Sequence, residues 1–219
     1  MVLESRPQIF NLLPIGHALP PLSRILWGAF GALAITYVLF QKKLMPFSVS
    51  KFVSKILFYP TFPITVLNRL GNYWSPVDET LLLGCAPMEV LGIPKSIHHI
   101  GVRGVVNMCY EYPGPKGAYE KLGIKQLYLP SADHYEVSVE DMQEAVKFIK
   151  HHKDRNEKVY VHCKAGHGRA ASIALCWMVH EHPDISVKDL NALLSQKRKV
   201  RKTLFNQKNV KAYVASLNR

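Results

Sequence analysis

The sequence predicts an α/β protein with a central, mainly parallel sheet flanked by helices and preceded by an N-terminal hydrophobic helix. Three features predict it. From about Trp74 onward, apolar runs of strand length alternate with longer stretches of helical periodicity. One of those runs, 158–162, leads directly into a glycine-containing loop and another helical stretch, the way open α/β sheets build a site at a strand's carboxyl end. Nearer the start, residues 25–40 carry no charge.

That first stretch, "ILWGAFGALAITYVLF", lies between Arg24 and the pair Lys42 and Lys43. As a helix it is about 24 Å long against a hydrocarbon core of roughly 30 Å, and Leu22, Leu44 and snorkelling lysines extend it. It is apolar all round, which argues against a one-faced surface helix, so a membrane anchor within a 1–50 extension is expected. A leader cleaved at "ALA" (32–34) and a buried helix of the globular body stay open as alternatives. More basic residues follow the run (Lys42, Lys43, Lys51, Lys55, Arg69) than precede it (Arg6, Arg24). A span would therefore keep the main domain on the non-translocated side. Residues 1–24, with Glu4 and only two arginines, make a weak transit peptide.

Residues 51–70 interleave Phe52, Ile56, Tyr59 and Phe62 with Lys51 and Lys55, which suits a membrane interface or a helix packed on the domain behind it. Pro60 and Pro63 are expected to break it. The resulting division is an extension over 1–50, an interfacial segment over 51–73 and a main domain over 74–219.

Within that domain, 79–84 and 104–108 read as short buried strands, with a partly helical stretch around Pro94 between them. A third strand covers 124–130. The clearest helix covers 138–152: Ser138 caps it, Glu140 and Asp141 sit in its first turn, and Met142, Ala145, Val146 and Ile149 share a face. The strand 158–162 and a helix to about Val179 come next. Ser186 caps a helix to about Leu194, and 206–217 forms the last.

The chain has 219 residues, 48% of them apolar and 20% charged, so a folded core is expected and global disorder is not. A formal charge of +12 favours an anionic partner. No nucleic-acid-binding motif accompanies that charge, so none is expected to bind. The basic run "QKRKVRK" (196–202) reads as a solvated helix end or a contact for acidic lipid. The four cysteines (Cys85, Cys109, Cys163, Cys176) form no C-x-x-C pair and no metal-ligand spacing, which favours a reducing compartment and no bound metal.

"HCKAGHGR" (162–169) carries the chemistry. Lys164, Ala165, Gly166, His167 and Gly168 separate Cys163 from Arg169, and the two glycines let successive amides converge on one anion. The following helix N-terminus adds positive potential, and such a setting favours the thiolate form of a cysteine. Arg169 offers a planar fork for two phosphate oxygens. Cys176, Cys85 and Cys109 read instead as small core hydrophobes. A nucleotide P-loop is excluded, because Arg169–Ala170 stands where that motif needs Lys and Ser or Thr.

The segment matches H-C-x-x-G-x-x-R, and the chain resembles the cysteine-dependent protein tyrosine and dual-specificity phosphatases. "HCKAG" is shared by several lipid-acting members. "ILFYPT" (56–61), Trp74 with "VDETLLLG" (77–84), "VRGVVNM" (102–108) with Glu111 and Tyr112, and "LYLPSAD" (127–133) are similar to the mitochondrial branch that acts on phosphatidylglycerophosphate. The resemblance spans about 55–215. It implies Cys163 as nucleophile, Arg169 as phosphate clamp and His162 as a supporting residue stabilising the thiolate loop. It also implies a general acid about 30 residues before the cysteine, where Asp133 stands. By spacing alone Glu136, Glu140 and Asp141 compete with it. Glu111 and Tyr112 match a loop used near substrate. His167 stands where family members commonly carry arginine, leaving less fixed charge and a pH-dependent one.

No cofactor is implied, since Arg169 and the loop take the charge that a metal takes elsewhere. Implied partners are an anionic phospholipid, alternatively a phosphoprotein or phosphoinositide substrate, and a membrane held through the N-terminal helix. The implied location is the mitochondrial inner membrane, or another intracellular membrane with the catalytic domain on the cytosolic side. A monomer is expected. Ala170 departs from the pattern: most members carry Ser or Thr there to assist the departing thiolate, so a slower second step is expected. The same departure leaves a non-catalytic phosphate-binding scaffold as the alternative from another class.

Overall fold

A computed structural model describes residues 21–217 apart from residue 43. Expectations for a targeting segment before residue 21, and for Lys43 as a flanking charge, lie outside the described residues. Two compact units result, Met1–Leu44 and Met45–Arg219.

The first unit contains helix α1 (Pro21–Gln41), which confirms the N-terminal hydrophobic helix as an element. Leu26, Trp27, Phe30, Leu33 and Val38 are among its exposed side chains. Among the described residues no helix is long and apolar enough to cross a membrane, and the transmembrane reading of 25–40 is corrected to that extent. Polar residues sit within the helix at both ends: Arg24 and Gln41 bound an uncharged stretch of about 24 Å, against roughly 30 Å for a hydrocarbon layer.

The second unit opens with α2 (Phe47–Leu67), a single helix that runs through Pro60 and Pro63. The expected break is absent because both prolines lie on the outward face. The carbonyls they leave without an amide partner, those of Ile56 and Tyr59, belong to exposed residues, so no buried polar group is stranded. The inward face stays continuous. Phe58 stacks on Phe62 and on Tyr112, with ring centroids 5.4 and 5.3 Å apart. The segment set apart at 51–73 thus belongs to the main body.

Five strands follow: β1 (Trp74–Pro76), β2 (Leu81–Gly84), β3 (Val102–Cys109), β4 (Lys125–Ser131) and β5 (Lys158–His162), in the sheet order β1-β2-β5-β3-β4. Only β1 is antiparallel, paired with β2. Alternation along each strand divides two cores. Leu81, Leu83, Val106, Met108, Val159 and Val161 face one core, shared with α5 (Val139–Lys153), α6 (Arg169–Glu181), α7 (Val187–Lys197) and α8 (Lys208–Leu217). Leu82, Val105 and Tyr160 face the other, shared with α3 (Ile93–His99) and α4 (Lys116–Leu122). The flanked, mainly parallel sheet is the architecture expected. Not foreseen were β1, too short for a periodic signal, and α4, only seven residues long.

Ser138 and Ser186 cap α5 and α7 by accepting from the amides of Asp141 and Asp189. Helix α6 is anchored to the turn before β2, where Trp177 Nε1 donates to Asp78 Oδ2 at 2.6 Å. The parallel register pairs Gly84 and Asn107 with His162, and Cys109 with Ser131. The carboxyl ends of four strands therefore share one edge of the sheet.

Candidate active site

Three of those strand ends, β3, β4 and β5, each deliver one group. Cys163 follows β5 directly, Glu111 comes two residues after β3, and Asp133 two residues after β4. Asn107 shapes the β3 exit, its Oδ1 accepting from Cys109 N (2.9 Å) and its Nδ2 donating to Tyr112 O (2.9 Å). That local turn carries Glu111 back under the sheet edge.

The loop between Cys163 and α6 has its carbonyls held from outside. Lys164 O accepts from Ala86 N at 3.2 Å, and His167 O from Arg201 N at 3.0 Å. Ala165 O and Gly166 O accept from Arg198 Nη2 (3.0 Å) and Nε (3.2 Å). Gly168 O accepts from Ser172 N inside α6. Among the described residues the amides of 164–168 take no protein acceptor. They are the donors a tetrahedral anion needs. Gly166 is required here: its φ is +62°, and a Cβ would meet Gly84 O at 2.5 Å. Gly84 is required in turn by Tyr160, whose hydroxyl passes over it to donate to Cys85 O at 2.7 Å.

Arg198 is the residue that sequence reasoning missed. Read as part of a solvated basic run, it is fully buried and also donates to Asn72 O (3.0 Å) and Tyr73 O (3.3 Å). The correction has a clear cause: its partners are backbone carbonyls from two segments distant in sequence, 72–73 and 165–166, which a local pattern does not reveal.

Arg169, at the start of α6, is held as a fixed fork. Its Nη1 donates to Ser131 O (2.7 Å) and Glu111 Oε2 (2.9 Å), and its Nη2 to Glu111 Oε1 (2.6 Å). Nη2 also lies 3.1 Å from Asp133 Oδ1. Arg169 Nε is buried without a partner among the described residues. Burial alone would lower the Arg169 pKa, yet Asp133 and Glu111 together hold it above its ordinary value. Asp133, 29% exposed, feels burial pushing its carboxyl upward, but Arg169, His134 and Lys164 outweigh that and hold it below the usual carboxylate range.

Cys163, Asp133, Arg169, Lys164, His167 and Arg201 line one cavity of about 190 Å³. His162 lies behind it. Burial pushes its pKa down to about 3, Arg169 adding to the effect, so the ring is neutral and its Nδ1–H donates to Cys163 O at 3.3 Å. Lys164 turns toward α2, donating to Thr61 Oγ1 with its ammonium over the Phe58 ring. His167 donates through Nδ1 to Lys199 O at 3.1 Å, and burial lowers its pKa. Glu136, Glu140 and Asp141 are not among the lining residues.

Glu111 and Tyr112, in the loop expected near substrate, both turn inward. Both Glu111 oxygens are taken by Arg169, and Tyr112 is buried, donating to Pro87 O at 3.2 Å. Ala170 is fully buried behind the loop. Ser172 does not replace its missing hydroxyl, because Ser172 Oγ donates to Arg169 O at 2.7 Å. All four cysteines are free. Burial raises Cys85 to about 11 and raises Cys109 and Cys176 as well, keeping those three as thiols. Among the described residues no cluster of His, Cys, Asp or Glu has the make-up of a metal site.

A sulfur nucleophile under a ring of uncommitted amides, clamped by a fixed guanidinium, is a site shaped for phosphate-ester chemistry. The chain belongs to the family described as dual specificity phosphatase, catalytic domain, whose model matches residues 84–212. It is 34% identical over 140 residues to phosphatidylglycerophosphate phosphatase PTPMT2 of Arabidopsis thaliana, covering 61% of this chain and 60% of that protein's length. It is 30% identical over 142 residues to the human phosphatidylglycerophosphatase and protein-tyrosine phosphatase 1, covering 59% of this chain and 70% of that one. The crystal structure of PTPMT1 superposes with a TM-score of 0.59 at 23% identity, over 67% of this chain and 96% of that chain, which shows the shared fold.

Proposed function

We propose that this chain hydrolyses phosphate monoesters through a phosphocysteine at Cys163, and that its substrate is phosphatidylglycerophosphate. The observation that carries the chemistry is the loop whose carbonyls are all occupied and whose amides are all available, directly above Cys163. The similarity to relatives named for phosphatidylglycerophosphate supports the substrate.

In the first half-reaction the Cys163 thiolate attacks phosphorus, the P–O ester bond breaks, and Asp133 gives its proton to the departing alkoxide. The amides of 164–168 and Arg169 hold the equatorial oxygens. In the second, Asp133 takes a proton from water as the water oxygen attacks phosphorus. The S–P bond breaks, returning thiolate and releasing orthophosphate. Asp133 enters as an ionised partner of Arg169. An incoming phosphate dianion competes for that guanidinium, and the carboxyl regains its affinity for a proton as the pair loosens.

Membrane association belongs to the same reading. The outward face of α2 exposes Val49, Phe52, Ile56, Tyr59, Ile64 and Leu67, with Lys51 and Lys55 at its flank. Apolar side chains bordered by lysines suit a bilayer surface carrying acidic lipid, and α2 is tied to the phosphate loop through Thr61 and Lys164. On the family resemblance the membrane is mitochondrial, which fractionation of tagged protein tests.

The deciding experiment compares phosphatidylglycerophosphate, a phosphoinositide and a phosphotyrosine peptide with one preparation. Highest kcat/KM on phosphatidylglycerophosphate, abolished by Cys163→Ser, is expected. Preference for the peptide overturns the substrate, and turnover that survives Cys163→Ser overturns the mechanism. Tight phosphate binding without turnover would support the scaffold alternative instead.

A further inference from the structure

Four arginines lie near the phosphate loop, and three of them have a guanidinium nitrogen bonded to the protein. Arg169 serves Glu111, Asp133 and Ser131 O. Arg198 serves the carbonyls of Ala165, Gly166, Asn72 and Tyr73. Arg69, buried, donates from Nη2 to Lys199 O at 2.9 Å. Arg201 differs. Its backbone is tied to the loop through Arg201 N and His167 O, but among the described residues its guanidinium meets no carboxylate and no carbonyl.

That guanidinium is in the cavity wall. Arg201 lines the cavity with Cys163 and Asp133, and its Nη2 would lie 3.8 Å from a Cβ placed on Gly168. The other cations near the rim do not fill this role. Lys164 Nζ is engaged with Thr61 and Phe58 on the α2 side, and His167 is neutral with its Nδ1–H on Lys199 O. Among the described residues the one carboxylate in the cavity wall, Asp133, is already on Arg169. A cavity built for one phosphate thus has a second, unspent planar fork beside it.

We propose that Arg201 is a second anion site, which takes the phosphodiester of a substrate whose terminal phosphomonoester occupies the Cys163 loop. A planar fork half-shielded from water fits two non-bridging oxygens of a diester, and it binds one negative charge without competing for the monoester. This rests on the proposed function in one respect, namely that a phosphatidylglycerophosphate headgroup carries a monoester and a diester on one glycerol. A phosphotyrosine side chain or p-nitrophenyl phosphate has no second phosphate to offer. Selectivity for the lipid headgroup then resides in Arg201, and the reaction itself in Cys163, Arg169 and Asp133.

The test compares Arg201→Gln and Arg201→Lys with the wild type on phosphatidylglycerophosphate in mixed micelles, phosphatidylinositol 5-phosphate and p-nitrophenyl phosphate. In Arg201→Gln the ratio of kcat/KM for either two-phosphate lipid to that for p-nitrophenyl phosphate is expected to fall by about 10- to 100-fold, mainly through KM. Arg201→Lys is expected to recover part of that ratio, since it restores charge without the fork. A proportionate loss on all three substrates assigns Arg201 to loop structure and overturns the proposal, as does an unchanged ratio. Failure of the functional reading is distinguishable. If the wild type ignores phosphatidylglycerophosphate, the phosphatidylinositol 5-phosphate ratio still decides for or against Arg201.

Discussion

Arg169 Nη2 stands 3.1 Å from Asp133 Oδ1, so the residue in position to donate a proton is ionised and paired before substrate arrives. Glu111 remains on the same guanidinium through both its oxygens, which leaves Arg169 anchored when Asp133 moves away. Substrate phosphate thus has two jobs in the cavity. It supplies the reacting centre, and it releases the acid.

Two outcomes follow for Asp133→Asn. Turnover of an alkyl phosphate is expected to fall by about 10²- to 10⁴-fold, the range for loss of a positioned general acid. The loss on p-nitrophenyl phosphate is expected to be smaller, because its leaving group departs without a proton. Equal losses on both would show that Asp133 acts only by holding Arg169. In the wild type, the basic limb of kcat should also lie at higher pH than that of kcat/KM, since the free enzyme holds Asp133 below its ordinary range and the complex does not.

Ala170 bears on the second half-reaction. It is fully buried behind the loop, and the nearby Ser172 hydroxyl is spent on Arg169 O. No hydroxyl assists the thiolate as it leaves phosphorus from that position. A hydrogen bond to a developing charge contributes about 1.5–3 kcal/mol, which is a factor of about 10 to 100 in rate. Rapid-quench measurements on the wild type should show a burst of alcohol release followed by slow steady turnover. Ala170→Ser should shrink the burst and raise the steady rate. A wild type without trapped phosphocysteine would sink the idea.

Arg198 tests how the cradle is kept open. Its fork reaches the Ala165 and Gly166 carbonyls on one side and those of Asn72 and Tyr73 on the other. Arg198→Met keeps bulk but leaves several buried carbonyls unpaired, at about 1–3 kcal/mol for each one stranded. Thermal stability and kcat/KM should both fall, on every substrate alike. Arg198→Lys should rescue little, since a point charge cannot span two segments. Loss of stability with full activity would show that the loop keeps its shape unaided.

The contrast between Arg169 and Arg198 marks what was legible in the sequence. Arg169 is legible because its motif lies within eight consecutive residues, and the sheet is legible because the apolar runs at β2, β3 and β5 are a local signal. Arg198 was missed because its partners at Asn72, Tyr73 and Ala165 are brought together only by the fold. The Pro60 and Pro63 positions misled for a related reason. Proline chemistry is local, but whether the freed carbonyls are stranded depends on which face packs against Tyr112. Glu111 stands in a stretch the sequence singles out, yet its direction, inward to Arg169, is set by the Asn107 turn.

His162 makes a pH prediction with a definite sign. In the folded protein burial holds its pKa at about 3, while in the unfolded chain it returns to about 6.5. Between those values the unfolded state binds the extra proton, so this residue's contribution to stability is full above about pH 6.5 and is lost as pH falls toward 3. The loss amounts to about 1.4 kcal/mol for each pH unit within that window. The same proton would place a charge beside Arg169 and behind the Cys163 carbonyl, so acid should loosen the cradle as well as the fold. Melting temperature measured from pH 7 to pH 4 should therefore fall more steeply for the wild type than for His162→Asn, whatever stability the variant has at neutral pH. Parallel slopes would mean that other groups carry the acid sensitivity, with His152 the first to examine, since burial lowers its pKa too.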